Sequence, residues 1–177
     1  FAVFSYTGYK SEFTGMNTDE YISSAWDYGH LISLNVGYKF KKGWEIGTKY
    51  RFAAGAPYTP FDLAASRQNY LITGNGTLDY TQLNQATLPS FNQVDIRIDK
   101  KWNFKKVTFD LYLDITNAFY LTQTSAPNYT WGRTEDGTDW MTTNGQSVAS
   151  DGSNAIPLIL ENTSQLLTPS LGFIIEF

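Results

Sequence analysis

The chain has 177 residues, 16% of them aromatic and 42% hydrophobic, with a net charge of -4 and a mean hydropathy of -0.31. No run of about 18 apolar residues occurs, so the sequence holds neither a transmembrane helix nor a secretory h-region, and the acidic balance argues against nucleic acid as a partner. The absence of Cys excludes a disulfide framework and any Cys-based metal site. None of this excludes a membrane β-barrel, whose strands hide from hydropathy because every second residue is polar.

The first stretch, Phe1-Ala2-Val3-Phe4-Ser5-Tyr6, reads as the middle of a strand within 1–11, with Ala2, Phe4 and Tyr6 opposite Ser5 and Thr7 and with Val3 intruding. The sequence is therefore expected to be the carboxy-terminal piece of a longer chain. In 30–41, His30, Ile32, Leu34, Val36, Tyr38 and Phe40 alternate with Leu31, Ser33, Asn35, Gly37, Lys39 and Lys41. After the turn Lys42-Gly43, Trp44, Ile46, Tyr50 and Phe52 alternate with Glu45, Gly47, Lys49 and Arg51 over 44–54, which is a hairpin signature. A second hairpin places Val94, Ile96 and Ile98 opposite Gln93, Asp95, Arg97 and Asp99. After a turn over 103–106, it places Val107, Phe109, Leu111, Leu113 and Ile115 opposite Thr108, Asp110, Tyr112 and Asp114. The last strand, 168–177, alternates Leu171, Phe173, Ile175 and Phe177 with Ser170, Gly172 and Glu176, and only Ile174 breaks the pattern.

These elements predict an all-β fold, an antiparallel transmembrane β-barrel segment of about six strands, with residues 1–177 as the carboxy-terminal portion of one barrel domain. The links near 41–43 and 103–106 are short, and those near 12–25, 55–90 and 120–167 are long. Short and long links alternate, so all turns fall on one rim and all loops on the other, as in outer-membrane barrels with periplasmic turns and extracellular loops. Strand 168–177 then runs inward. Tyr38, Phe40, Trp44, Trp102, Phe104 and Phe177 cluster at the short-turn rim, and Tyr28, Tyr50, Phe52, Phe91, Phe119 and Tyr120 lie toward the long-loop rim, giving two interfacial girdles. Lys39, Lys41, Lys42, Lys100, Lys101, Lys105 and Lys106 sit at the short-turn rim, where their stems lie along apolar surface and their ammonium groups reach water or headgroups.

Glu45, Lys49, Arg51, Asp95, Arg97, Asp99, Asp110 and Asp114 share the polar phase and predict a hydrated lumen wall. A catalytic carboxylate pair is the minor reading of the same residues. His30 is the only His and lies on the lipid-phased face, so a multi-His metal site is unavailable. Glu135-Asp136-Gly137-Thr138-Asp139 and Asp151-Gly152-Ser153-Asn154 offer oxygen ligands, but neither completes a calcium loop ending in Glu, and solvated turns are the default. No cofactor or metal is expected. In the long links, Tyr58, Tyr129, Trp131, Arg133 and Trp140 are candidates for stacking on a sugar or packing a peptide, and packing of the loops on one another is the stronger alternative.

The polar-x-Gly-x-x-apolar-x-aromatic ending, filled by Ser170, Gly172, Ile175 and Phe177, resembles the carboxy-terminal assembly signal of outer-membrane proteins. The stretches Ala25-Trp26-Asp27-Tyr28-Gly29-His30, Gly37-Tyr38-Lys39-Phe40, Gly43-Trp44-Glu45 and Gly55-Ala56-Pro57-Tyr58-Thr59-Pro60 resemble the late barrel strands of TonB-dependent outer-membrane transporters of Bacteroidota. So do Phe91–Lys100 with Asp110–Phe119, and Ile156–Leu160 with Thr168–Gly172. The resemblance implies a barrel of about 22 strands filled by an amino-terminal plug, located in the outer membrane of a Gram-negative bacterium. It implies energy supplied through TonB, ExbB and ExbD, and import of a nutrient into the periplasm without chemistry. The rest of the barrel, the plug and the lipid membrane are the implied partners, and a SusD-like lid lipoprotein is compatible with the family. The plug, most strands and a TonB box have no counterpart here. An outer-membrane barrel enzyme and a soluble carbohydrate-binding β-sandwich are the rival readings.

Overall fold

The computed structural model describes residues 1–16 and 19–177. Its main sheet contains β1 (Ala2–Gly8), β2 (His30–Lys39), β3 (Trp44–Ala53), β4 (Phe91–Asn103), β5 (Thr108–Thr116) and β8 (Thr168–Glu176), hydrogen-bonded in the order β1-β2-β3-β4-β5-β8. Every pairing is antiparallel. All six strands read from the alternation are present, and β1 and β8 are the two open edges, as that reading expects. The sheet does not close on itself.

Register converts the alternation into two unlike faces. Phe4 lies opposite Leu34, which lies opposite Tyr50; Ile98 joins Ile46 to Leu113, and Leu113 faces Leu171. Because side chains one residue apart point to opposite sides, these rows form one continuous apolar face. No second sheet covers it among the described residues. Phe4, Tyr38 and Phe173 on this face are 66%, 63% and 64% exposed. The other face carries Ser5, Ser33, Asn35, Lys49, Arg51, Gln93, Asp95, Arg97, Asp99, Asp110, Asp114 and Ser170.

Phe91 is a correction to the expected aromatic girdle. It shares the phase of Gln93 and Asp95 and lines a groove with Thr7, Leu31 and Arg51, on the polar face.

The two short turns differ in construction. Phe40 N–H donates to Trp44 O at 2.8 Å, and between them Lys42 and Gly43 both adopt positive φ, 64° and 76°. A Cβ on Gly43 would stand 2.2 Å from the Lys101 carbonyl oxygen, so this position admits only glycine. The second turn spans 104–107, one residue beyond the expected 103–106, and is closed by Phe104 N–H donating to Val107 O at 2.9 Å. On the polar face, the Tyr112 ring lies over Gly172, where a Cβ would come within 2.4 Å of the ring.

The long links expected over 55–90 and 120–167 carry regular structure of their own. Within 55–90, α1 (Leu63–Thr73) starts where the Asp62 carboxylate accepts from Ala64 N–H and Ala65 N–H, both at 2.9 Å, and stops at Gly74 in the left-handed region. Within 120–167, β6 (Gln123–Trp131) and β7 (Pro157–Ser164) pair as a hairpin with an irregularity between Ser125 and Asn128. The expected link 12–25 contains a short pairing of Glu12–Phe13 with Ile22–Ser23; residues 17 and 18 lie outside the described residues.

The buried hydrophobic cluster found among the described residues belongs to these links and not to the sheet. Tyr129, Trp131 and Ala155 form it, with Phe61, Tyr70, Trp140 and Val148 packed around them. The Tyr70 ring centroid is 4.9 Å from that of Trp131, and its hydroxyl bonds Thr130 Oγ1 at 2.8 Å. Ser66, fully buried, accepts from Thr77 N–H at 2.8 Å and donates to Thr77 O at 3.1 Å, fastening α1 to the following segment. Gly152, at φ +66°, passes so close to Trp131 and the Arg67 carbonyl that a Cβ would meet both.

Candidate functional site

The eight expected wall residues all lie on the polar face, and their geometry is one of ion pairs. Arg51 Nη2 donates to Asp95 Oδ2 at 3.0 Å, Arg97 Nη2 to Asp99 Oδ1 at 2.8 Å, and Arg97 Nη1 stands 3.8 Å from Asp114 Oδ2. Lys101 Nζ is 3.3 Å from Asp110 Oδ2, and Lys39 Nζ is 3.6 Å from Glu45 Oε2. The Arg97 guanidinium also lies 4.0 Å from the Tyr112 ring centroid. Each carboxylate is thus matched to a cation and not to a second carboxylate, which is a charge-balanced surface and not the geometry of a shared-proton pair. Lys49, opposite Asp95 in register, is exposed.

The upper end of this wall holds residues that alternation alone does not single out. Gln93 Nε2 donates to Asp95 Oδ1 at 2.6 Å, while Gln123 Nε2 donates to Gln93 Oε1 at 3.0 Å, linking the wall to the start of β6. Asn117, fully buried with φ +54°, joins three segments. Its backbone N–H donates to Asp95 Oδ1 at 3.1 Å, its Nδ2 donates to the carbonyls of Leu121 and Leu166, and its Oδ1 accepts from Leu121 N–H at 3.0 Å. The available signal was an Asn directly after an alternating strand, a residue that tolerates the left-handed region and bonds backbone locally. We expect Asn117→Ala to cost about 1–3 kcal/mol locally, the usual penalty for stranded buried polar groups. Amide exchange at 118–123 should accelerate about tenfold or more, and unchanged protection would show that the clamp is dispensable.

The five loop candidates are separated by the structure. Tyr129 at 6% and Trp131 at 1% exposure are interior, and a ligand reaches neither ring in this arrangement. Trp140 packs edge-on to Trp131 at 5.8 Å and carries the Arg133 guanidinium 3.9 Å from its centroid. It borders an open cleft of about 580 Å³ with Asp139, Thr142 and Gln146. Tyr58 lines a different cleft of about 400 Å³, with Ala25, Phe61, Asn84 and Pro127. These five residues accordingly do not form a single aromatic platform.

The acidic turns satisfy themselves. Asp136 accepts from Thr134 Oγ1 at 2.6 Å and from Thr138 Oγ1 at 2.8 Å, and these bonds hold its carboxyl below the usual range. Ser153 N–H, 3.0 Å from Asp151 Oδ1, does the same for Asp151. No group of three or more His, Cys, Asp or Glu side chains suited to a metal is found among the described residues. His30, on the apolar face, meets the Tyr6 hydroxyl through Nδ1 at 2.9 Å. Ser170, Gly172 and Ile175 lie in β8, with Phe177 just beyond it. Comparison of the chain with protein-family models, curated proteins and solved structures returned no match.

Proposed function

We propose that this chain forms six adjacent strands in the wall of an outer-membrane β-barrel, and that the barrel is a TonB-dependent importer of a nutrient ligand. The observation that carries the barrel reading is the bare apolar face of a sheet whose other face is charged. A water-soluble sandwich buries that face against a second sheet, whereas a barrel turns it to hydrocarbon. Strand lengths support this. β2, β3, β5 and β8 have 10, 10, 9 and 9 residues, close to the about 9–11 that cross a bilayer when tilted, and the 13 residues of β4 exceed that need. The sorting of links supports it as well, since 40–43 and 104–107 lie at one rim and 9–29, 54–90 and 117–167 at the other.

The open edges of β1 and β8 require partner strands, because unpaired backbone in hydrocarbon costs several kcal/mol per group. Arg51 Nε and Asp110 Oδ1 are buried on the charged face without a hydrogen-bond partner. The importer class, TonB coupling and the plug rest on the sequence resemblance alone. In this reading the ion-paired wall performs no chemistry, and the loop unit forms part of the vestibule.

Sidedness tests the arrangement. Glu135→Cys in the long-loop unit should react with an impermeant maleimide on intact cells, and Lys105→Cys in the second short turn should react only after lysis. Both residues are exposed and neither has the positive φ that makes Gly43 unsuitable. Labelling of Lys105→Cys on intact cells would reverse the topology.

A further inference from the structure

We propose that the two short turns together form a binding surface for anionic phospholipid headgroups. The inference rests on the barrel-wall reading and adds a lipid preference to it. The turns are neighbours across the sheet: Gly43 packs on the Lys101 carbonyl, and Lys100 Nζ reaches the Lys42 carbonyl. Lys39, Lys41, Lys42, Lys100, Lys101, Lys105 and Lys106 all lie at this rim, in a chain with only 13 Lys and Arg and a net charge of -4. Lys39 and Lys101 are held by Glu45 and Asp110, whereas Lys41, Lys42, Lys105 and Lys106 are exposed and make no ion pair among the described residues.

Those four free ammonium groups stand beside an amphipathic belt. Phe40, Trp44 and Phe104 are exposed on the same rim, and Lys100 Nζ lies 5.3 Å from the ring centroids of both Trp44 and Trp102. Aromatic rings of this kind settle at headgroup depth, which places the free lysines level with lipid phosphates. Cations at such a surface favour anionic over zwitterionic lipid, an effect worth about fivefold in partitioning for one engaged lysine. The opposite rim has the contrary balance, with Asp62, Asp79, Glu135, Asp136, Asp139 and Asp151 against few cations, so the preference belongs to the turn side.

The test uses the complete protein in nanodiscs, with a bimane label on Phe104→Cys as the only thiol. Brominated phosphatidylglycerol and brominated phosphatidylcholine are titrated separately as quenchers. The proposal predicts half-quenching at an about fivefold lower fraction of the anionic lipid. This preference should disappear in about 1 M salt, where the Debye length is about 3 Å, and in a variant carrying K41Q, K42Q, K105Q and K106Q. Equal quenching by both lipids overturns the headgroup preference while leaving the barrel wall standing. Absence of quenching by either lipid removes the turns from the bilayer and overturns both readings.

Discussion

Leu171→Arg should cost about 2–4 kcal/mol of stability in a bilayer, and Ser170→Arg next to it should cost almost nothing. The two positions are adjacent near the middle of β8 but lie on opposite faces. Leu171 pairs with Leu113 on the apolar side, which the proposed barrel turns to lipid, so that a guanidinium there would be buried in hydrocarbon or drag water inward. Ser170 pairs with Asp114 on the charged side, where an added arginine meets an existing carboxylate. Denaturant unfolding of the complete protein in liposomes measures both. Equal penalties would place both faces in the same environment and remove the basis for a lipid-facing wall.

The second large effect is expected in the loops. Trp131→Ala should remove about 3–5 kcal/mol, the usual loss when a buried large aromatic is truncated, and the loss should stay within the unit built on Tyr129, Trp131 and Ala155. The indole touches Tyr70, Trp140 and the backbone near Gly152, so its removal unlocks α1 from the β6–β7 hairpin. The sheet shares none of those contacts. Limited proteolysis should therefore open 63–73 and 133–155 while the strands stay protected. Simultaneous loss of the strands would show that loops and wall fold as one cooperative unit.

The sheet was legible because its two faces differ sharply in polarity. Period-two alternation survives only where one side is selected to be apolar and the other polar, and His30–Lys39 and Trp44–Ala53 carry that pattern almost unbroken. Phe91 departs from the expected girdle because it has the parity of Gln93 and Asp95, which puts it on the polar face. The helix was harder to see because α1 docks through Ser66 and Tyr70 and leaves Leu63, Leu71 and Ile72 outward, Ile72 at 88% exposure. An apolar stripe at helical spacing does not exist, and the caps Asp62 and Gly74 stand without one between them. The β6–β7 hairpin was obscured by Pro127 and by the irregularity after Ser125, which break the alternation. Charge pairing on the wall was visible in outline, and the Asn117–Leu121 bonds are local, but the clamp also needs Asp95 and Leu166 to approach Asn117 from distant parts of the chain. No local pattern encodes that meeting.

The most direct measurement of the account is a nitroxide scan along β5, residues 108–116, in the complete protein reconstituted in lipid. Collision with oxygen reports contact with hydrocarbon, and collision with a polar nickel chelate reports contact with water. Phe109, Leu111, Leu113 and Ile115 are predicted to be open to oxygen and closed to the chelate, alternating with Asp110, Tyr112 and Asp114, which should lack that oxygen access. A scan in which the apolar positions are shielded from both reagents would mean that a protein layer covers them and would contradict the barrel wall.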